Sequence, residues 1–288
     1  MTALPSSSSG TLPRENRTRR SFRGTGIFRK RILVGIVLVY VTILILAPIG
    51  ALVAGAFSKG IAAIIEALSQ PDFLSAFRLT IEIALICVIV HSFFGTIVAW
   101  MLVRYQFPGR SIINGLIDLP FAVSPVVVGY MLLILFGRNG VFGPLLDTLN
   151  IKIAFAVPGM ILATLFVTLP FVPREVMPVL REFGIEQEQA AATLGASGWQ
   201  TFWKVTFPAI RWGLFYGVIL VFARAVGEFG AVLVIGGALQ GYTETATLFV
   251  YRSLDQREYV AAYSAALVLG LLSLSLVVAT DLLRHRRK

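Results

Sequence analysis

The chain has 288 residues, 57% of them hydrophobic and 14% charged, with a mean hydropathy of +0.81 and a formal net charge of +10. Soluble domains hold roughly 45–50% apolar residues, so the composition excludes an ordinary water-soluble domain and implies an integral membrane protein. The basic residues are dispersed among the ends of apolar segments, which points to topology and contact with anionic lipid headgroups and argues against nucleic acid as a partner.

Residues 1–31 are basic and Ser-rich, with four consecutive serines from position 6, a composition expected to stay disordered because it has little apolar surface to bury. Six apolar runs follow, at about 32–57, 79–103, 111–136, 153–179, 213–239 and 259–283. Each reaches the length of about 20 residues that a helix needs to cross roughly 30 Å of hydrocarbon. The first exceeds the roughly 7–15 residues of a signal-peptide core and lacks a small-residue cleavage site, so it is expected to remain as a membrane helix. The predicted fold class is an all-α polytopic membrane protein with about six transmembrane helices. Its membrane domain covers 32–283, and a short basic tail follows at 284–288.

Within the second run, Cys87 is the one cysteine, so no intramolecular disulfide can form. His91 reads as a packed or hydrogen-bonded core residue, since no Cys or carboxylate accompanies it at metal-ligand spacing. The third run carries Asp118, Pro120, Ser124 and Pro125. Each proline removes a backbone donor and frees a carbonyl, so this helix is expected to kink or break, which a membrane tolerates only against protein or water. That reasoning places Asp118 and Ser124 near a polar path. In the fourth run, Thr164 and Thr168 stand one turn apart and have two outlets, a hydroxyl offered to that path or a bond back to their own helix carbonyls.

The long polar interruption at 181–212 is the most distinctive stretch. Residues 186–194 are good helix formers with acids in the first turn. Gly195, Ser197 and Gly198 then break the pattern, and Trp199, Phe202, Trp203, Val205 and Phe207 follow before Pro208, which is expected to end a second short helix. A solvated loop has no use for such aromatic density. Two readings fit: a docking element for a soluble partner, or an amphipathic segment resting among headgroups.

The fifth run holds Arg224 about eleven residues from its start, near the expected bilayer midplane, with Glu228 one turn on. A charge at that depth costs roughly 2.5–3.5 kcal/mol and normally pairs in the bundle interior or a wet cavity. Again two readings stand. The pair is purely structural, or Arg224, with Gly227 and Gly230 admitting backbone donors beside it, also meets a permeating anion. Among these glycines, with Gly236 and Gly237, close helix packing is the competing explanation.

Eighteen of the 25 basic residues fall on the side that would hold both termini and the 181–212 loop, so the positive-inside rule makes that side cytoplasmic. No GxxxxGK[ST] phosphate loop and no metal-ligand cluster occur in the sequence, so neither catalysis nor a bound cofactor or metal is expected of this chain alone.

The loop resembles the EAA motif of bacterial ABC importer permeases: Glu-Ala-Ala, three residues, Gly, nine residues, then Ile-x-Leu-Pro. Aligned on Gly195, the pattern falls on Gln189, Ala190, Ala191, Gly195, Val205, Phe207 and Pro208, with Gln189 in place of the motif acid and Glu188 beside it. The stretches LPFAVSPVVVG at 119–129, LATLFVTLPFV at 162–172 and ARAVGEFGAV at 223–232 are similar to the sulfate and molybdate branch of these permeases, and to its W-type sulfate/thiosulfate subunits in particular. The resemblance implies the type I ABC importer permease fold. It also implies two ATP-binding subunits docked on the 181–212 loop, carrying ATP and Mg, a second homologous permease, an extracytoplasmic anion-binding protein and a bacterial cytoplasmic membrane. Sulfate is the implied cargo; molybdate or tungstate is the alternative. A gated anion channel would account for Arg224 and the broken helix but leave the loop without a purpose.

Overall fold

The computed structural model describes residues 23–285, with side chains from 30 to 280. Of the tails expected at 1–31 and 284–288, residues 1–22 and 286–288 lie outside the described residues. The chain divides after Gly50 into two units. The described part of the first is helical from Arg23, within α1 (Arg23–Ala56), so the disorder expected through residue 31 does not extend over 23–31. Adding residues to an existing apolar helix costs far less than nucleating one, and Arg, Lys and Phe are adequate helix formers.

In the second unit a short helix α2 (Gly60–Leu68) leads to α3 (Pro71–Val90), which starts on a proline at its first position, where the missing N–H costs nothing. A wide π turn at His91–Gly95 joins α3 to α4 (Thr96–Arg104), and together they form one apolar helix over 71–104. This span starts eight residues before the expected run, because Asp72 and Arg78 are carried as solvated or paired charges on its end.

The third run is broken as its prolines predict. Helix α5 (Arg110–Ala122) and α6 (Pro125–Phe136) meet at an angle of 113°. Val123 and Ser124 are extended between them, as the residue before a proline must avoid the helical region. A short α7 (Gly143–Thr148) precedes α8 (Val157–Thr168) and α9 (Phe171–Phe183), which count as one span despite a turn at Leu169–Pro170.

The polar interruption then forms α10 (Glu186–Thr193) and α11 (Gly198–Thr201). Here one expectation is corrected. Pro208 does not end a second short helix: α11 continues through a π turn at Phe202–Thr206 into α12 (Phe207–Val226), one helix over 198–226. The π turn lies directly before Pro208, and its extra width accommodates a ring that would otherwise clash with the carbonyl one turn back.

The fifth span is corrected as well. It ends at Val226, and 227–239 is not its continuation but a break followed by α13 (Gly230–Gly236). Arg224 therefore lies in the last turn of α12 rather than in mid-span. Helix α14 (Ala246–Asp255) and the final span α15 (Tyr259–His285) complete the chain. Among the described residues five helices are long and apolar enough to cross a membrane, six if the bent α5–α6 pair is one span. Among the described residues all regular structure is helical.

The main core gathers Cys87, Met160, Val172, Met177, Leu180, Ile210 and Val221. Its centre is the contact of α9 with α12, where glycines set the separation. A Cβ at Gly213 would stand 2.9 Å from the Glu175 carbonyl oxygen, and one at Gly217 3.0 Å from the Val172 Cα, so backbones approach as closely as small residues allow. Many large apolar side chains, including Ile89, Phe93 and Ile134, face outward, as suits a lipid-facing surface.

Candidate functional site

Helix α10 begins at Glu186, and its first-turn acids Glu186 and Glu188 lie at the positive end of the helix dipole. Only Glu188 turns inward. Its Oε2 lies 2.9 Å from Arg104 Nε, and its Oε1 accepts from Arg104 Nη2 at 3.1 Å and from the Thr206 hydroxyl at 2.8 Å. The same guanidinium donates to the carbonyls of Gly184 (2.6 Å) and Leu180 (3.2 Å). One carboxylate thus ties the end of α4, the end of α9, the loop helix and the π turn leading into α12. The pair is largely desolvated, at 8% exposure for the Arg104 side chain and 17% for Glu188.

Gln189, at the motif's acidic position, is exposed. One residue along a helix turns a side chain by about 100°, so Gln189 cannot reach Arg104 while Glu188 does. Arg104 is the residue that sequence reasoning missed. It was legible only as a basic residue at a helix end, and 84 residues separate it from Glu188.

Gly195 occupies the turn after α10 with φ +81°, a conformation that costs a residue with a Cβ about 1–2 kcal/mol. Ser197 and Gln200 then form a reciprocal capping box at the start of α11. Around this turn Leu194 is 88% exposed and Trp199 71%, with Trp203 stacked edge-on to Trp199. Ala190 and Pro208 are exposed too, while Ala191, Val205 and Phe207 are half-buried. The result is an apolar knuckle on a base clamped to three membrane helices.

At a second location the α5–α6 break opens an indentation of about 560 Å³, lined by Pro120–Pro125, Val167, Phe171 and Arg224. Arg224 Nη1 lies 2.7 Å from Glu228 Oε2, and Glu228 is buried. Glu228 Oε1 accepts the Ala231 N–H at 3.0 Å, in the first turn of α13, and the Glu228 carbonyl accepts the Thr247 hydroxyl. The acid therefore fixes the break between α12 and α13, and Arg224 lines the cavity together with Ser124. Gly227 sits at that break, whereas Gly230 packs on Val126, Gly236 on Met160, and Gly237 caps α13 at φ +71°. Of these four, Gly230, Gly236 and Gly237 serve close packing, since a Cβ on Gly237 would stand 2.7 Å from the Phe155 ring.

Asp118 does not join this cavity. It pairs with Arg174 of α9, which also donates to the Asn114 side chain and carbonyl, so the group ties α5 to α9. Arg174 thus sits in the first turn of α9. His91 Nε2 lies 3.1 Å from the Leu165 carbonyl and 3.0 Å from the Thr168 hydroxyl. The carbonyl can only accept, so Nε2 carries the proton. Thr164 and Thr168 bond back to their own helix, to the carbonyls of Met160 and Thr164. Elsewhere, Arg252 binds buried Glu244 at 2.6 Å and stands 3.7 Å from Asp72; the hydrogen bonds it donates to Glu244 raise the Arg252 guanidinium further above its ordinary range. Among the described residues no group of three or more His, Cys, Asp or Glu could hold a metal.

A polytopic helical bundle with a clamped, apolar-tipped loop and a charged indentation defines the membrane component of a transport system, not a catalyst in its own right. Residues 92–288 match the family of binding-protein-dependent transport system inner membrane components. The chain belongs to that family, the inner-membrane permeases of ABC importers.

It is 49% identical over 254 residues to the sulfate transport system permease protein CysW of Synechococcus elongatus, covering 88% of this chain and 89% of the relative. It is 39% identical over 252 residues to the sulfate transport system permease protein CysT of Escherichia coli, covering 88% of this chain and 91% of the relative. Among solved structures, it matches a crystal structure of a bacterial alginate ABC transporter in complex with its alginate pentasaccharide-bound periplasmic protein. The TM-score is 0.73 at 18% identity, over 91% of this chain and 96% of that one; at that identity the likeness speaks for the fold.

Proposed function

We propose that this chain forms one half of the membrane pathway of an ATP-driven sulfate importer. The observation that carries the coupling is the Glu188 clamp. A push on the exposed Leu194 and Trp199 knuckle reaches α4 through Arg104 and α12 through Thr206, with no intervening flexible linker. Two ATP-binding subunits, which hold ATP and Mg, dock there on the cytoplasmic side, where both termini also lie. Gln189, Ala190, Ala191, Gly195, Val205, Phe207 and Pro208 form the surface and turn of the docking element, and Glu188 anchors it.

The identity to CysW and the lower identity to CysT support a pathway built from two related but different permeases. An extracytoplasmic binding protein delivers the anion. The indentation at the α5–α6 break serves as this chain's share of the path. Arg224 offers fixed donors in place of water, and Glu228 offsets enough of its charge to let a dianion leave again. Ser124 adds a hydroxyl, and Gly227 supplies the break that aims Arg224 at the cavity.

The test is uptake of labelled sulfate by the complete complex in proteoliposomes, with ATP inside and binding protein outside. ATP-dependent uptake, competed by excess unlabelled sulfate more strongly than by molybdate, is the expected result. Equal sulfate flux without ATP would refute the importer reading in favour of a channel.

A further inference from the structure

Close to the Glu188 clamp lies a second cavity, of about 210 Å³, lined by Leu102, Arg110, Ser111, Asn114 and Arg181. Its polar wall consists of donors. Asn114 Oδ1 already accepts from Arg174 at 3.2 Å, which turns the amide NH2 to the other side. Ser111 offers a hydroxyl, and Arg110 and Ser111 belong to the first turn of α5, where the helix dipole adds positive potential.

Two guanidiniums line the same recess. Arg104, Arg174, Arg224 and Arg252 each have a carboxylate partner: Glu188, Asp118, Glu228 and Glu244. Arg110 and Arg181 share one cavity, and among the described residues neither guanidinium has an ion-pair or hydrogen-bond partner, nor does any acid line the cavity between them. Two like charges in one recess repel; an anion held between them reverses the sign of that interaction.

We propose that this cavity binds a tetrahedral oxyanion, supplied as a lipid headgroup phosphate or as a free phosphate-type ion, which bridges α5 to the last turn of α9. The site is distinct from the transport indentation and does not depend on sulfate being the cargo. Arg181 follows Leu180, whose carbonyl accepts from Arg104, and precedes by three residues Gly184, which does the same. An anion there holds the root of the coupling loop, so its occupancy tunes how ATP turnover reaches the membrane helices. Ile112 and Leu116, one turn apart on α5 and exposed, offer a surface for the acyl chains of a lipid ligand.

The experiment uses the complete transporter complex. In neutral detergent, native mass spectrometry measures retention of phosphatidylglycerol against phosphatidylcholine. In phosphatidylcholine nanodiscs, the thermal midpoint and ATP turnover are titrated with inorganic phosphate. Arg110→Gln/Arg181→Gln is compared with wild type and with Arg211→Gln, which removes a charge elsewhere. Loss of two charge-assisted contacts weakens retention or apparent affinity about tenfold or more. Selective phosphatidylglycerol retention lost in the double variant supports the site with lipid as its source; a phosphate response lost in the double variant supports it with a free ion. Arg181→Gln alone removes an exposed side chain and leaves the fold untouched, so it carries the same comparison, with a several-fold loss, if the double variant fails to assemble. No difference between wild type and Arg181→Gln in either assay, or an equal loss in Arg211→Gln, overturns the proposal.

Discussion

Glu188 of the loop helix and Arg104 at the end of α4 are held 2.9 Å apart, although 84 residues separate them. The pair converts a surface loop into an extension of the membrane bundle. Its burial decides its weight: exposed ion pairs contribute little, whereas removing one partner of a desolvated pair leaves an uncompensated charge at a cost of about 3–5 kcal/mol.

Glu188→Gln is therefore expected to reduce sulfate uptake and transport-linked ATP hydrolysis by about tenfold or more, read in proteoliposomes with co-purified ATPase subunits. Restoring the motif acid with Gln189→Glu does not rescue this variant, because position 189 points to solvent. Rescue would show that the acid's place in the motif matters more than its contact with Arg104.

Gly195 holds φ +81°, and its N–H donates to the Ala192 carbonyl at 3.0 Å. Gly195→Pro fixes φ near −65° and removes the donor. Transport is expected to fall to background while membrane insertion is unchanged, as shown by uptake beside a protease-accessibility assay. Gly195→Ala is milder, costing about 1–2 kcal/mol at this turn. Unaltered uptake by the proline variant would mean that the turn plays no part in coupling.

Arg224→Ala leaves buried Glu228 without its cation. Assembly is expected to persist, because Glu228 keeps its bond to the Ala231 N–H, while anion-stimulated ATP turnover drops by about tenfold or more. Arg224→Lys keeps the charge but not the planar fork, so it recovers turnover only in part. Dissociation of the Arg224→Ala complex, seen by size-exclusion chromatography, would make the pair structural and remove it from the path.

Asp118→Asn separates a brace from a path. The pair with Arg174 is part-exposed, at 31% and 45% for the two side chains, so the expected cost is about 1 kcal/mol. The thermal midpoint falls by a few degrees while the KM for sulfate delivered by the binding protein is unchanged. A rise in KM without a thermal shift would return Asp118 to the anion path.

Much of this was legible in sequence. Pro120, Ser124 and Pro125 announced the break between α5 and α6, since a missing donor and a pre-proline residue act locally. The acidic start of α10, the glycine break after it and the Ala-Ala-x₃-Gly spacing of the loop were equally plain. The end of the fifth span was not, because residues 213–239 are apolar apart from Arg224 and Glu228, and hydropathy does not register that Gly227 and Phe229 leave the helix. Pro208 misled in the opposite direction: a π turn, invisible to composition, lets the helix run through it.

The sequence by itself determined that the protein lives in a membrane, roughly how many times it crosses, and where its long polar interruption falls. These follow from hydrocarbon thickness, the cost of burying charge and the backbone limits of Pro and Gly, each a property of a few adjacent residues. Only the tertiary structure decided which charge answers which: Glu188 with Arg104, Asp118 with Arg174, and Arg110 and Arg181 with no acid at all. In an apolar bundle nearly every helix face is hydrophobic, so periodicity does not specify neighbours. Ion partners are chosen by where helices cross, and those crossings depend on close contacts such as Gly213 against Glu175 and Gly217 against Val172, which form only when distant segments meet.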